Sequence, residues 1–274
     1  MTFIITFIAL VIERFFDCSH IRRFGGFLRF QKWLGLQLSK WPPYLVLLLT
    51  VLLPVAVVAF LNCFLTGVLY GALKLLFGAV VLIYCLGPTN FWAQTYTCIS
   101  ALHADDPHPE FDVIKNAFGL MPTEGEEAFH RAFTKALFIE ANRRVFAVFF
   151  WFILLGPAGA VLYRLVDLCS KEGVTTAAAA KTSLQVLDWL PVRLLALLFA
   201  LGGHFTKVIK YWQHNVLTPA KMNDVVLTES GIAALDILEL DRLPADGTAE
   251  KETIALLDRT FVIGLVILAI AVLA

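Results

Sequence analysis

Charge is scarce in this 274-residue chain. Its 22 Lys+Arg and 22 Asp+Glu make up 16% of the residues, and the formal net charge is zero. Soluble chains average about 25% charged and about 45–50% apolar. Here the apolar share is 59%, with 23 Phe and 6 Trp, and the mean hydropathy is +0.76. A water-soluble globule has too little polar surface to cover that much apolar side chain, so lipid is the expected solvent for much of the chain. Charge neutrality excludes bulk attraction to nucleic acid, and the aromatic content excludes disorder. Cysteine is sparse as well. The five, at positions 18, 63, 85, 98 and 169, are odd in number and form no CxxC, which excludes a disulfide framework or a zinc finger. P-loop, dinucleotide-binding, HExxH and GxSxG motifs are all missing. The opening apolar run has no basic flank and no AxA-like cleavage site, and Glu13 and Arg14 follow it. Residues 1–12 are therefore expected to be retained rather than cleaved as a signal peptide.

What is present is a series of apolar runs. A helix needs about 20 apolar residues to cross a hydrocarbon core of about 30 Å. Residues 44–65 meet this without a charge, and 67–87 with only Lys74. Residues 145–163, 189–205 (with Arg193) and 260–274 follow, and 1–16 is the weakest of the set. The runs are rich in Leu and Phe without alternation, so they read as helices rather than barrel strands. The expected fold is all-α, a polytopic transmembrane helical bundle of five to six spans, forming one integral-membrane domain over 1–274.

Charge placement orients it. With six spans, residues 13–43, 88–144 and 206–258 lie on one side with 6, 5 and 5 Lys+Arg, against 3 on the other. By the positive-inside rule the long segments are expected in the cytoplasm and both termini outside it. These segments carry helical patterns of their own. Residues 13–43 interleave Arg22, Arg23, Arg29 and Lys32 with Phe24, Phe27, Phe30 and Trp33, as an interfacial amphipathic helix does. Thr123-x-x-Glu126 reads as a capping box opening a helix over 123–143, and apolar residues recur at helical spacing through 221–241. Amphipathic cytoplasmic helices are thus expected at 88–144 and 206–258.

Several polar features need explaining. His103, Asp105, Asp106, His108 and Glu110 have the composition of a metal site, but Pro107 and Pro109 make a polar turn the simpler reading, and no metal is expected. Gly156-Pro157-Ala158-Gly159-Ala160 interrupts the 145–163 span. It reads either as a kink with small-residue packing or as a broken helix opening backbone groups to a cavity. Asp188 and Pro191 suit a helix start near Trp189. Arg193 then lies just inside the membrane, where it either snorkels or meets a carboxylate, Asp188 first and Asp167 second. Glu13-Arg14 and Arg143-Arg144 stand at the edges of other spans. They act either as anchors or, with Asp188 and Arg193, as the lining of a cavity. Arginine forks suit carboxylates and phosphates, so the expected ligand is anionic.

The stretches VIERFF (11–16), FWFILLGPAGAVLYRL (150–165) and LDWLPVRLLALLFALGGH (187–204) resemble the AmpE family of bacterial inner-membrane proteins. That family is related to the CbiB/CobD cobinamide-phosphate synthases. The shared pattern runs from Trp151 through Gly156, Pro157 and Tyr163 to Arg164, and again from Trp189 through Pro191 and Arg193 to Leu194. The resemblance implies a regulatory protein of β-lactamase induction, linked to muropeptide recycling and to cell-wall recycling partners, with no established catalysis and no cofactor. The alternative it leaves is a membrane-embedded, ATP-dependent amide-forming synthase using nucleotide and Mg. Where the synthase branch carries acids, this chain reads Glu140-Ala141-Asn142-Arg143-Arg144. Arg143 reverses the charge there, which favours the regulatory branch.

Overall fold

Apolar runs of this length satisfy their backbone groups internally only as helices. In the computed structural model every regular element among the described residues is helical. The structure describes residues 2–15, 22, 24–65, 72–87, 89–101, 114, 117–120, 125–171, 176–236 and 247–273. In chain order the helices are α1 (Thr2–Phe15), α2 (Gly25–Gln37), α3 (Pro43–Phe64), α4 (Ala72–Cys85), α5 (Phe91–Ala101) and α6 (Glu126–Ala141). A π-turn (Asn142–Phe146) leads into α7 (Ala147–Leu155) and α8 (Pro157–Cys169). Then come α9 (Ala177–Gly202), α10 (Phe205–Asn215), α11 (Asn223–Ala234) and α12 (Thr248–Leu273).

Among the described residues three helices are long and apolar enough to cross a membrane: α3, α9 and Thr248–Ala271 of α12. The five or six spans read from composition are not all matched by helices of that length. Helix α1 has 14 residues, α4 is a shorter apolar helix, and the 145–163 run is divided between α7 and α8. Helix α9 begins at Ala177, not near Trp189. Asp188 is therefore not a cap and Pro191 is an interior residue, because the alanines at 177–180 already favour helix. Helix α6 starts from Gly125, at φ 90 and without a side-chain cap. The capping-box Thr123 lies outside the described residues, as does the 103–110 cluster.

The chain divides into two compact units. The first holds residues 1–90 and 143–188, and its centre is α8, which packs on α3, α4 and α7 while α1 packs on α4. Tyr163, Arg164, Asp167 and Cys169 of α8 are buried, as are Val46 and Val51 of α3 and Leu82 of α4. The opposite face of α3 exposes Leu48, Leu52, Val57 and Phe60, a stripe suited to lipid. The pivot is Gly156, at φ 68 and ψ −156, a region that essentially only glycine enters. Pro157 then opens α8 at its first turn, where its missing N–H costs nothing. In a straight helix residues 151 and 159 would stand about 12 Å apart. Here a Cβ built on Gly159 would fall 2.2 Å from the Trp151 carbonyl oxygen. The break is thus a sharp reversal of the chain rather than a kink.

The second unit holds residues 91–142 and 189–274. After Gly203 the chain turns back, so that α10 returns along the C-terminal half of α9 and the Trp212 indole donates to the Arg193 carbonyl at 3.1 Å. Helix α11 returns in the other sense, bringing the Ala234 carbonyl to the His204 N–H at 2.9 Å. Helix α6 packs on α11 and α12, with Phe138 edge-on to Phe199 of α9 at 5.3 Å. Gly231 of α11 admits that ring, since a Cβ there would lie 2.4 Å from its Cζ. Gly231→Ala is expected to overpack this contact at a cost of about 1–3 kcal/mol. The readout is a lower unfolding midpoint of the detergent-solubilised protein, and an unchanged midpoint would contradict the packing.

Candidate functional site

The polar groups of the first unit converge on Arg164. Its place on α8, one turn from Asp167, aligns guanidinium and carboxylate at i,i+3, and Nη1 meets Asp167 Oδ2 at 2.7 Å. Nε donates to the Cys85 carbonyl at the end of α4. Nη2 donates to the Arg144 and Arg143 carbonyls of the π-turn at 3.2 and 3.4 Å. A π-turn shifts its bonds to i→i+5, and here its carbonyls take the fork. Arg164 is 1% exposed, so a side chain with no acceptor capacity has its donors directed at one carboxylate and three carbonyls.

Two further bonds extend this joint. The Tyr163 hydroxyl donates to Asp188 Oδ1 at 2.7 Å, and both groups are buried. Arg144 Nη1 donates to Thr89 Oγ1 at 2.9 Å. The Gly87 N–H reaches the Arg144 carbonyl at 3.4 Å, and its own carbonyl accepts from Arg22 Nη1 at 3.2 Å. A Cβ on Gly87 would come within 2.9 Å of the Arg144 side chain, so glycine is what lets that side chain pass. Nearby, burial and the Asp167 charge push the Cys169 thiol up to about 12. It stays protonated and unreactive, and Cys63, Cys85 and Cys98 are also free thiols.

Of the residues singled out in the sequence, the first unit holds Glu13, Arg14, Arg143, Gly156, Pro157, Tyr163, Arg164 and Asp188, and the second holds Asn142, Trp189, Pro191 and Arg193. The backbone of Glu13 and Arg14 belongs to α1, and their side chains lie outside the described residues. Asn142 opens the π-turn and is buried, and Pro191 is buried within α9.

Arg193 faces inward, and among the described residues it meets no carboxylate. Nε donates to the Val216 carbonyl at 3.2 Å, Nη1 to the Trp189 carbonyl at 3.1 Å and to Asn223 Oδ1, and Nη2 to the Thr218 carbonyl at 2.9 Å. Its carbon Cζ lies 4.8 Å from the centre of the Trp189 ring, and the Trp189 indole donates to the same Thr218 carbonyl at 3.1 Å. The expected pairing with Asp188 or Asp167 is corrected. The carbonyls of Trp189, Val216 and Thr218, the Thr218 hydroxyl and the Asn223 amide oxygen meet the guanidinium, which ties α9 to the 216–219 turn. Arg193→Lys keeps the charge and loses the fork. It is expected to loosen that turn, read as faster cleavage at 216–219 in limited proteolysis, and an unchanged cleavage rate would contradict the assignment.

Sequence reasoning missed the backbone acceptors of Arg164, and Asp167 entered it only as a partner for Arg193. The i,i+3 spacing of Arg164 and Asp167 was the available signal. It also missed His130 and Glu250, a buried pair of the second unit at 2.9 Å. Among the described residues no three of His, Cys, Asp and Glu converge as metal ligands do.

Two curated relatives share part of the chain. Both are described as cobalamin biosynthesis protein CobD. The protein from Stutzerimonas stutzeri is 31% identical over 41% of this chain and 40% of its own length. The one from Chromobacterium violaceum is 31% identical over 41% of this chain and 38% of its own. The chain thus spans about two fifths of the length of the curated relatives it matches. No solved structure matches. A family model described as regulatory signalling modulator protein AmpE matches residues 1–273, and the chain belongs to that family.

Proposed function

We propose that the chain is a multi-pass protein of the bacterial inner membrane that modulates β-lactamase induction in step with cell-wall recycling, and that the joint around Arg164 is the part that changes state. The observation that carries this reading is the match to a regulatory family over residues 1–273. The geometry supports it in two ways. Buried ionisable groups are costly, and perturbed ones concentrate at functional sites. The joint also includes the carbonyls of the π-turn and lies on the helix that opens at the Gly156 reversal, and π-turns inside helices recur at functional sites. A muropeptide or other anionic ligand is the proposed input, with cell-wall recycling proteins as partners. Such a ligand would meet Arg164 or Arg193 only by displacing the chain's own acceptors. The test is deletion of the gene in an inducible strain, with β-lactamase activity followed after β-lactam challenge. The reading expects altered induction that is restored by the wild-type chain, and identical induction with and without the gene overturns it.

A second reading is an amide-forming synthase using ATP and Mg. The CobD relatives, 31% identical over 41% of the chain, favour it. It predicts ATP consumption by the purified protein dependent on both an amine and a carboxylate substrate.

A further inference from the structure

We propose that the second unit carries a seat for the head group of a phospholipid bearing both a phosphate and a primary ammonium. The inference rests on the reading that the apolar part of α12 lies in the membrane. The seat is an open cavity of about 410 Å³ at the junction of α9, α10, α11 and α12. Small residues are among its lining, Gly202 and Gly203 at and just after the end of α9, Ala234 from α11 and Ala255 from α12. His204, Glu252 and Arg259 stand around it.

The charges there are of both signs and are not used on each other. Asp236, also on the rim, is held by Lys207. Arg259 bonds only through Nε, to the Ala255 carbonyl of its own helix at 3.1 Å, leaving its terminal nitrogens available among the described residues. Glu252 forms no ion pair among those residues. One guanidinium and one carboxylate thus face a shared space, with His204 as a further polar group.

Their order along α12 selects the ligand. Arg259 immediately precedes an uncharged run through the end of the helix, so it sits at the edge of the apolar segment. Glu252 lies seven residues earlier, about 10.5 Å further from that edge. Ala255 falls between them on the same side, which leaves room. In an ethanolamine phospholipid the phosphate is joined to the glycerol and lies deeper, and the ammonium is terminal and lies further out. The guanidinium therefore meets phosphate where the carboxylate meets ammonium. Leu201 and Phe205, which flank the lining residues 202–204 in sequence, and Val262 and Val266 beyond Arg259 are exposed, and they provide apolar surface beside which acyl chains would lie. A glycerol head group has no cation for Glu252. A choline head group has no N–H to donate.

The test uses the full chain, delipidated in detergent, with native mass spectrometry against dioleoyl phosphatidylethanolamine, phosphatidylglycerol and phosphatidylcholine. The expected result is about tenfold preference for the ethanolamine lipid, the scale of one charge-assisted hydrogen bond. Glu252→Gln should abolish that preference, and Arg259→Gln should lower binding of all three lipids. Equal binding of the three lipids by the wild-type chain overturns the proposal, as does a preference that survives Glu252→Gln. Soluble glycerophosphoethanolamine, added as competitor, distinguishes the source. Failure to displace the lipid at equal concentration supports a membrane seat, whereas displacement at equal strength assigns the site to a free zwitterion and overturns the lipid assignment.

Discussion

Arg164→Gln is expected to remove the protein from the membrane. The substitution leaves Asp167 buried without its cation and withdraws a donor from each of the Cys85, Arg143 and Arg144 carbonyls. Breaking a buried ion pair from one side costs about 3–5 kcal/mol, against a total stability of about 5–15 kcal/mol. Steady-state abundance in isolated membranes, with unfolding of whatever can be purified, measures the effect. Adding Asp167→Asn should restore part of the loss, because the uncompensated charge is then gone while the carbonyls remain short of donors. Wild-type abundance of the single variant would show that the guanidinium does not hold α4, the π-turn and α8 together.

Gly159→Ala should be nearly as damaging, for a different reason. The added methyl would lie 2.2 Å from the Trp151 carbonyl oxygen and 2.7 Å from Leu155 Cβ. Overpacking against side chains costs about 1–3 kcal/mol, because rotamers yield. Here the nearest obstacle is backbone, so α7 and α8 must move apart at their closest approach, and the expected cost lies at or above the top of that range. Gly156→Ala separates sterics from conformation. Nothing lies within 4 Å of its built Cβ, yet its φ is +68, so it bears only backbone strain of about 1–3 kcal/mol. The unfolding midpoint should fall further for Gly159→Ala than for Gly156→Ala. The reverse order would mean that the reversal is held by the glycine conformation and not by the close approach.

Much of this architecture was legible in the chain. The uncharged run at 44–65 becomes the single helix α3. The interruption at Gly156-Pro157 follows from a proline without an N–H. What local pattern does not carry is where the chain goes after the break. A kink and a reversal differ only in the φ and ψ of Gly156, and tertiary packing selects them. Arg193 shows a second limit. The cost of burying a guanidinium correctly demanded inward partners, but carboxylates are not its only acceptors. The turn carbonyls and Asn223 that satisfy it lie 23 to 30 residues further on. Likewise Cys85 stands 79 residues from Arg164, and His130 stands 120 from Glu250. No periodicity of 3.6 residues reports contacts at such separations.

The central claim is that the buried joint of the first unit carries the regulatory output, and Tyr163→Phe tests it most directly. The variant keeps the ring that fills the core and deletes only the hydroxyl that donates to Asp188 at 2.7 Å. It costs about 1.5–3 kcal/mol for a hydrogen bond to a charged group, little enough for the chain to accumulate. β-Lactamase induction is measured in a strain whose only copy carries this change, normalised to the amount of the protein in the membrane. The account predicts induction shifted away from wild type at equal abundance. Wild-type induction at equal abundance would contradict it.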